Sequence, residues 1–190
     1  ARIGSGDEQA ARSHERHESC LAALLDWGRM FTTQSLSGDK AEQYAQLLEQ
    51  ARGLLSGERD RIANAANLSA LVYHSLPALN WAGFYFYDGQ ELVVGPFQGL
   101  PACVRIPLDK GVCGAAATTR QTQRVADVHA FPGHIACDSA SNSEVVVPLF
   151  TGDGQLIGVF DLDSPELDRF DAQDQKGLED IAKAFVESLA

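Results

Sequence analysis

Cys137 stands in a polar stretch, Pro132-Gly133-His134-Ile135-Ala136-Cys137-Asp138-Ser139-Ala140-Ser141-Asn142-Ser143-Glu144, immediately ahead of an apolar run, Val145-Val146-Val147. Turn formers and short hydroxyl or amide side chains favour irregular, hydrogen-bonded backbone there. Buried structural cysteines more often sit inside apolar runs. The spacing therefore predicts an accessible, reactive thiol on a loop. Three more cysteines, Cys20, Cys103 and Cys113, offer possible partners. A reactive cysteine with a second thiol within reach is the pattern of sulfenic acid formation and its resolution as a disulfide. For Cys113, set among Val112 and a run of alanines, the plainer expectation is a small buried residue, and Cys20 falls in a segment with no clear periodicity.

A second constellation is acidic. Asp161 and Asp163, two apart on an expected strand, share one face roughly 7 Å apart. The plain explanation is a solvated strand end, but Ile157 and Val159 share that face and look core-directed. Glu144 opens the strand expected to pair with this one, so three carboxylates converge. Such a cluster suits an ammonium-bearing ligand, and crowding raises at least one carboxyl pKa enough to leave a protonated oxygen. On another strand Trp81, Gly83, Tyr85 and Tyr87 alternate with Ala82, Phe84 and Phe86; one of the two aromatic rows is core, and the other can wall a pocket with a gap at Gly83.

Cysteines and histidines in loops (Cys103, Cys113, His129, His134, Cys137) also raise the possibility of zinc. Structural zinc sites normally show close ligand pairs. Only His134 and Cys137 make one, so no metal and no cofactor is expected.

The elements that must position these groups are readable in order. Residues 1–38 lack sustained periodicity and open on a charged, Gly/Ser-rich stretch, so an N-terminal extension is expected there, with Met30 a candidate natural start. From Asp39 apolar residues recur at helical spacing as far as Gly57, and a second helix spans 58–76, stopped by Pro77. Strands are expected at Trp81–Tyr87 and 91–95 around an Asp88-Gly89 turn, at 103–107, and as a second hairpin over 144–150 and 155–163. A short helix covers 115–119, and a final amphipathic helix covers 171–189. Helices, then hairpins, then a helix describe an α+β domain over 39–190 with an antiparallel sheet.

The 190 residues carry a formal net charge of −11 and are 45% hydrophobic. That charge argues against nucleic acid or an anionic membrane as partner. No apolar run approaches the ~20 residues of a membrane span, and no signal peptide is evident. A cytoplasmic protein is the expectation.

The segments Asn80-Trp81-Ala82-Gly83-Phe84-Tyr85, Gly95-Pro96-Phe97-Gln98-Gly99, Ala102-Cys103-Val104-Arg105-Ile106, Gly111-Val112-Cys113-Gly114, Gly133 to Asp138, Ser141 to Glu144 and Asp161-Leu162-Asp163-Ser164 together resemble the free methionine-R-sulfoxide reductases, a GAF-domain enzyme family. The resemblance covers residue 39 to the C-terminus. It implies a six-stranded antiparallel sheet with helices on both sides. It implies reduction of free L-methionine-(R)-S-oxide to methionine, with a thioredoxin-type dithiol as final reductant. By the same resemblance Cys137 is the nucleophile, and either Cys103 or Cys113 resolves its sulfenic acid. Glu144, Asp161 and Asp163 bind substrate, and Trp81 and Tyr85 form its aromatic wall. A homodimer is a further expectation, because terminal helices of GAF domains often pair. Two alternatives stay open: a sensor module that binds a small ligand without turnover, and a zinc-stabilised interaction domain.

Overall fold

The computed structural model describes residues 31–133 and 139–190, of which Thr33–Ala190 form a compact unit. Its organising element is a six-stranded sheet in the order β3-β2-β1-β6-β5-β4, antiparallel at every pairing. The strands are β1 (Trp81–Tyr87), β2 (Leu92–Gly99), β3 (Arg105–Ile106), β4 (Gln123–Val125), β5 (Ser143–Phe150) and β6 (Leu156–Ser164). Among the described residues four α-helices accompany them: α1 (Lys40–Leu55), α2 (Arg61–Ser75), α3 (Gly111–Thr119) and α4 (Ala172–Ser188).

Strand alternation divides the sheet into two unlike faces. The even residues of β1 (Ala82, Phe84, Phe86) join Val145, Val147, Phe160 and Leu162 in a core closed by α1, α2 and α4. Phe84 stacks on Phe160 and meets Phe185 of α4, with ring centroids 4.7 and 4.6 Å away. The odd residues Trp81 and Tyr85 point to the opposite face, where Val146, Val159 and α3 form a smaller second cluster. Of the two aromatic rows in β1, the Phe row is therefore core. The Trp/Tyr row faces the side of the sheet on which α3 packs.

The helix boundaries follow local chemistry. Asp39 caps α1 through Glu42 N, with Glu42 returning the bond in a capping box, and Asp60 and Asp171 cap α2 and α4. The expected helices at 39–57, 58–76 and 171–189 thus appear, trimmed at their ends. The expected strand at 103–107 narrows to Arg105–Ile106 between Pro101 and Pro107, which have no N–H to give a ladder. Strand β2 runs past 95 to Gly99 because a register irregularity opposite Gly83–Tyr85 accommodates Gly95 and Pro96. The short polar edge strand β4 is an addition that the sequence pattern did not announce.

Helix α3 begins at Gly111, four residues ahead of the expected start. Gly114 makes this possible: a Cβ there would stand 2.8 Å from the carbonyl oxygens of Pro107 and Leu108. The earlier start puts Cys113 in the first turn of the helix, where it packs in the second cluster. Among the described residues no helix is long and apolar enough to cross a membrane.

Candidate active site

Three neighbouring strands bring the acidic residues together by register alone. Asp163 on β6 pairs with Trp81 on β1 to one side and with Glu144 on β5 to the other. One step along the face, Asp161 lies between Gly83 and Val146. All three carboxylates therefore rise from the central strands on the α3 side, at the same end of the sheet. Glu144 and Asp161 are buried, at 6% and 5% exposure, and Asp163 is half-buried.

The Trp81 indole forms the wall of this hollow. It stacks with Tyr85 at a centroid distance of 5.6 Å and with Phe97 at 5.2 Å. The indole lies over Gly83, where a Cβ would come within 2.7 Å of Trp81 Cη2 and 2.3 Å of Phe97 Cβ. A side chain at residue 83 would thus collide with the stack. Trp81 Nε1 is buried without a hydrogen-bond partner, and so is Asp161 Oδ1. Buried donors and acceptors are normally satisfied, so these two atoms keep hydrogen-bonding capacity that the protein's own described groups do not use.

From α3, Cys113 reaches the carboxylates, with Sγ 3.4 Å from Asp161 Oδ2 and 3.9 Å from Glu144 Oε1. Burial raises all three pKa values, and for Cys113 and Glu144 the neighbouring charges add to it. The Glu144 carboxyl is pushed well above the usual range, first by burial and then by the charges of Asp161 and Asp163. Asp161 rises to about 7, chiefly by burial, while hydrogen bonds from Cys113 and Glu144 hold it down. Both carboxyls are thus held above the usual carboxylate range, Glu144 with the charges of its neighbours added to its burial. The Cys113 thiol is raised well above its ordinary value by burial and by these same carboxylates. It stays protonated and donates to Asp161, which makes it a poor nucleophile. Burial and the neighbouring Asp161 also raise the Tyr85 phenol, so its hydroxyl keeps its proton.

Cys103 is disulfide-bonded, whereas Cys113 is a free buried thiol. Cys20, Met30, His134 and Cys137 lie outside the described residues. Cys103 is partly buried and packs against the same cluster as Trp81, Tyr85 and Cys113. In this oxidised form it offers no thiolate to a metal. The remaining expected site residues come together: Trp81, Tyr85, Glu144, Asp161, Asp163 and Cys113 gather on the α3 side of the sheet.

A GAF-domain family model matches residues 68–187. A free methionine-R-sulfoxide reductase of Escherichia coli is 49% identical over 152 residues, covering 80% of this chain and 92% of that protein. The chain belongs to the free methionine-R-sulfoxide reductase family of GAF domains. The structure of the Neisseria meningitidis free methionine-R-sulfoxide reductase in complex with its substrate superposes with a TM-score of 0.80 at 43% identity, over 84% of this chain and 96% of that one. A GAF sensor protein from Burkholderia vietnamiensis is 70% identical, with a TM-score of 0.77 over 79% of this chain and 95% of that one.

Two features of this reductase-family site were not assigned from sequence. Phe97, inside the Gly95-Pro96-Phe97 segment, is the outer ring of the aromatic stack; its signal was the pairing of β1 with β2, which sets it opposite Gly83. Asn142 braces the polar stretch against the sheet: its Nδ2 donates to Pro165 O at 2.7 Å and its Oδ1 meets His129 Nε2 at 3.1 Å. Next to it, Ser143 Oγ donates to Glu166 O at 2.6 Å. These bonds fix the start of β5, and hence Glu144, from the loop side.

Proposed function

We propose that this protein reduces free L-methionine-(R)-S-oxide to L-methionine, with Cys137 as nucleophile and Cys103 as resolving thiol. The observation that carries this reading is the buried Glu144–Asp161 pair beneath the Trp81 stack, whose burial raises both carboxyl pKa values and leaves one carboxylate oxygen unpartnered. A thiolate attacks sulfoxide sulfur effectively only when the oxygen is polarised or protonated as the S–O bond breaks. Glu144 supplies that proton. The carboxylates of Asp163 and Asp161 hold the substrate ammonium in a charge-assisted contact, and the indole face receives the methyl-sulfur end. Methionine within a polypeptide has no such ammonium, so selection of the free amino acid follows from the charge of the hollow.

The electron balance requires two thiols. Oxygen passes from substrate sulfur to the Cys137 sulfur, giving methionine and a sulfenic acid. The Cys103 thiol then attacks that sulfenic sulfur, expelling water and leaving a disulfide. A thioredoxin-type dithiol reduces the disulfide and returns both thiols. Support for Cys103 rather than Cys113 in the second step is the disulfide at Cys103 beside a free Cys113. The protonated, buried state of Cys113 points the same way.

The test is loss of the R-sulfoxide in the presence of dithiothreitol, followed for wild type, Cys137→Ser and Cys103→Ser. Wild type should consume the R but not the S epimer, Cys137→Ser should be inactive, and Cys103→Ser should lose turnover supported by thioredoxin. Undiminished turnover in Cys137→Ser would overturn the assignment.

A further inference from the structure

We infer that Cys113, Glu144 and Asp161 form a site for one borderline-soft divalent cation of the zinc class, available even while Cys103 is oxidised. The three ligand atoms, one sulfur and two carboxylate oxygens, come from α3, β5 and β6 and all lie within 4.8 Å of one another. Zn–S distances of about 2.3 Å and Zn–O distances of about 2.0–2.2 Å set a tetrahedral S···O edge of roughly 3.5–3.6 Å. The observed Sγ···Oδ2 and Sγ···Oε1 separations, 3.4 and 3.9 Å, lie on either side of that edge. The three donors thus stand close enough together for one ion to reach all of them.

An independent observation points to a ligand there. Asp161 is 5% exposed, yet its second oxygen, Oδ1, accepts no hydrogen bond. The donor set decides which cation fits. A thiolate with two carboxylates favours zinc or cadmium over magnesium or calcium, which require larger all-oxygen shells. Three protein ligands leave the fourth tetrahedral position open. Cys113 takes no part in the Cys103 disulfide, so the ligand set survives oxidation that removes the other redox thiol. On binding, the metal replaces the thiol proton, which passes to solvent.

One consequence rests on the proposed reductase reading. The cation and the substrate ammonium would both claim Asp161, so metal and free methionine sulfoxide should exclude each other. Zinc would then act as a reversible brake on the enzyme, competitive with substrate, at a place no disulfide reductant can reach.

The experiment is a Cd2+ titration of the air-oxidised full chain carrying Cys20→Ser, read by the ultraviolet sulfur-to-cadmium charge-transfer band. One Cd2+ per chain should bind with the band, and an excess of Mg2+ should not displace it. Cys113→Ser should abolish the band. Asp161→Asn, which keeps the thiol and the side-chain shape, should weaken binding by tenfold or more, since loss of even an outer-shell partner weakens metal sites by about 10–100-fold. A band of unchanged amplitude and affinity in Cys113→Ser, or unchanged affinity in Asp161→Asn, overturns the site. Free methionine-R-sulfoxide added to the Cd2+-loaded chain should release the metal. If the band instead persists at all substrate concentrations, the substrate placement falls while the metal site stands.

Discussion

The Trp81 indole occupies the space that a side chain on Gly83 would need: a Cβ at residue 83 would stand 2.7 Å from Trp81 Cη2. The glycine is thus what lets the ring lie flat across β1 between Tyr85 and Phe97. Gly83→Ala should push the indole off this seat. Overpacking of this kind costs about 1–3 kcal/mol, and the larger effect should fall on binding, with KM for the free sulfoxide rising roughly tenfold. Steady-state kinetics beside a thermal melt separates the two effects. An unchanged KM would mean that the indole does not contact substrate.

The carboxyl pair should leave a mark on stability. Asp161 is raised from its ordinary 3.8 to about 7 in the folded chain, so between those values the folded state holds a proton that the unfolded state has lost. Stability then falls as pH rises. The contribution is complete below about pH 4, and it is lost on the way up to about pH 7, with Glu144 extending the loss higher. Asp161→Asn removes the Asp161 share of this dependence, because the amide does not titrate, and leaves the share of Glu144. At pH 8 the variant should be the more stable protein, by on the order of 2 kcal/mol, and near pH 4 the difference should vanish or reverse. Calorimetric melts of both proteins from pH 4 to 8 would show it. Parallel curves would place the buried proton elsewhere.

Glu144 should matter to rate more than to binding. In the proposed mechanism its proton is needed only as the S–O bond breaks, so Glu144→Gln, which keeps the size and one oxygen, should lower kcat about 100-fold or more with KM little changed. The alkaline limb of kcat/KM that belongs to loss of the Glu144 proton should disappear as well. A pH-rate profile of the variant that retains this limb would assign it to another group.

Much of this arrangement was legible in the residues, for reasons that can be stated element by element. The Asp161/Asp163 pair and Glu144 were visible because strand period and hairpin pairing are simple rules, and Asp163 does pair with Glu144 as the hairpin requires. The two aromatic rows of β1 were visible too, but not which of them was core. That depends on Phe160 and Phe185, which come from the far end of the chain. Helix α3 started earlier than expected because Gly114 packs against the carbonyls of Pro107 and Leu108, a tertiary contact with no local pattern. The same shift determined the state of Cys113. Its thiol was read as a small buried residue or a resolving partner, and burial beside two carboxyls makes it a protonated donor. Strand β4 escaped notice because Gln123 and Arg124 show no alternation and only β5 pairs with them.

The layer on the other side of the sheet provides a control for all the site predictions. Asp174, 1% exposed, accepts hydrogen bonds from Tyr44 Oη at 2.9 Å, Lys40 Nζ at 2.8 Å and Arg169 Nη1 at 3.1 Å. It also accepts from the backbone N of Asp171, closing the capping box of α4. One carboxylate therefore ties α1 to α4. Asp174→Ala leaves a buried phenol and a nearly buried guanidinium without their acceptor, and the loss should be about 3 kcal/mol. For a domain of this size that is a fall in Tm of roughly 6–12 °C. Asp174→Asn, which retains one acceptor oxygen, should recover part of it. Because none of these groups faces the hollow beneath Trp81, KM and the alkaline limb should match wild type at a temperature where the variant is folded. A changed KM in folded Asp174→Ala would show that the helical layer sets the geometry of the carboxyl pair, and that the two faces of the sheet are not independent.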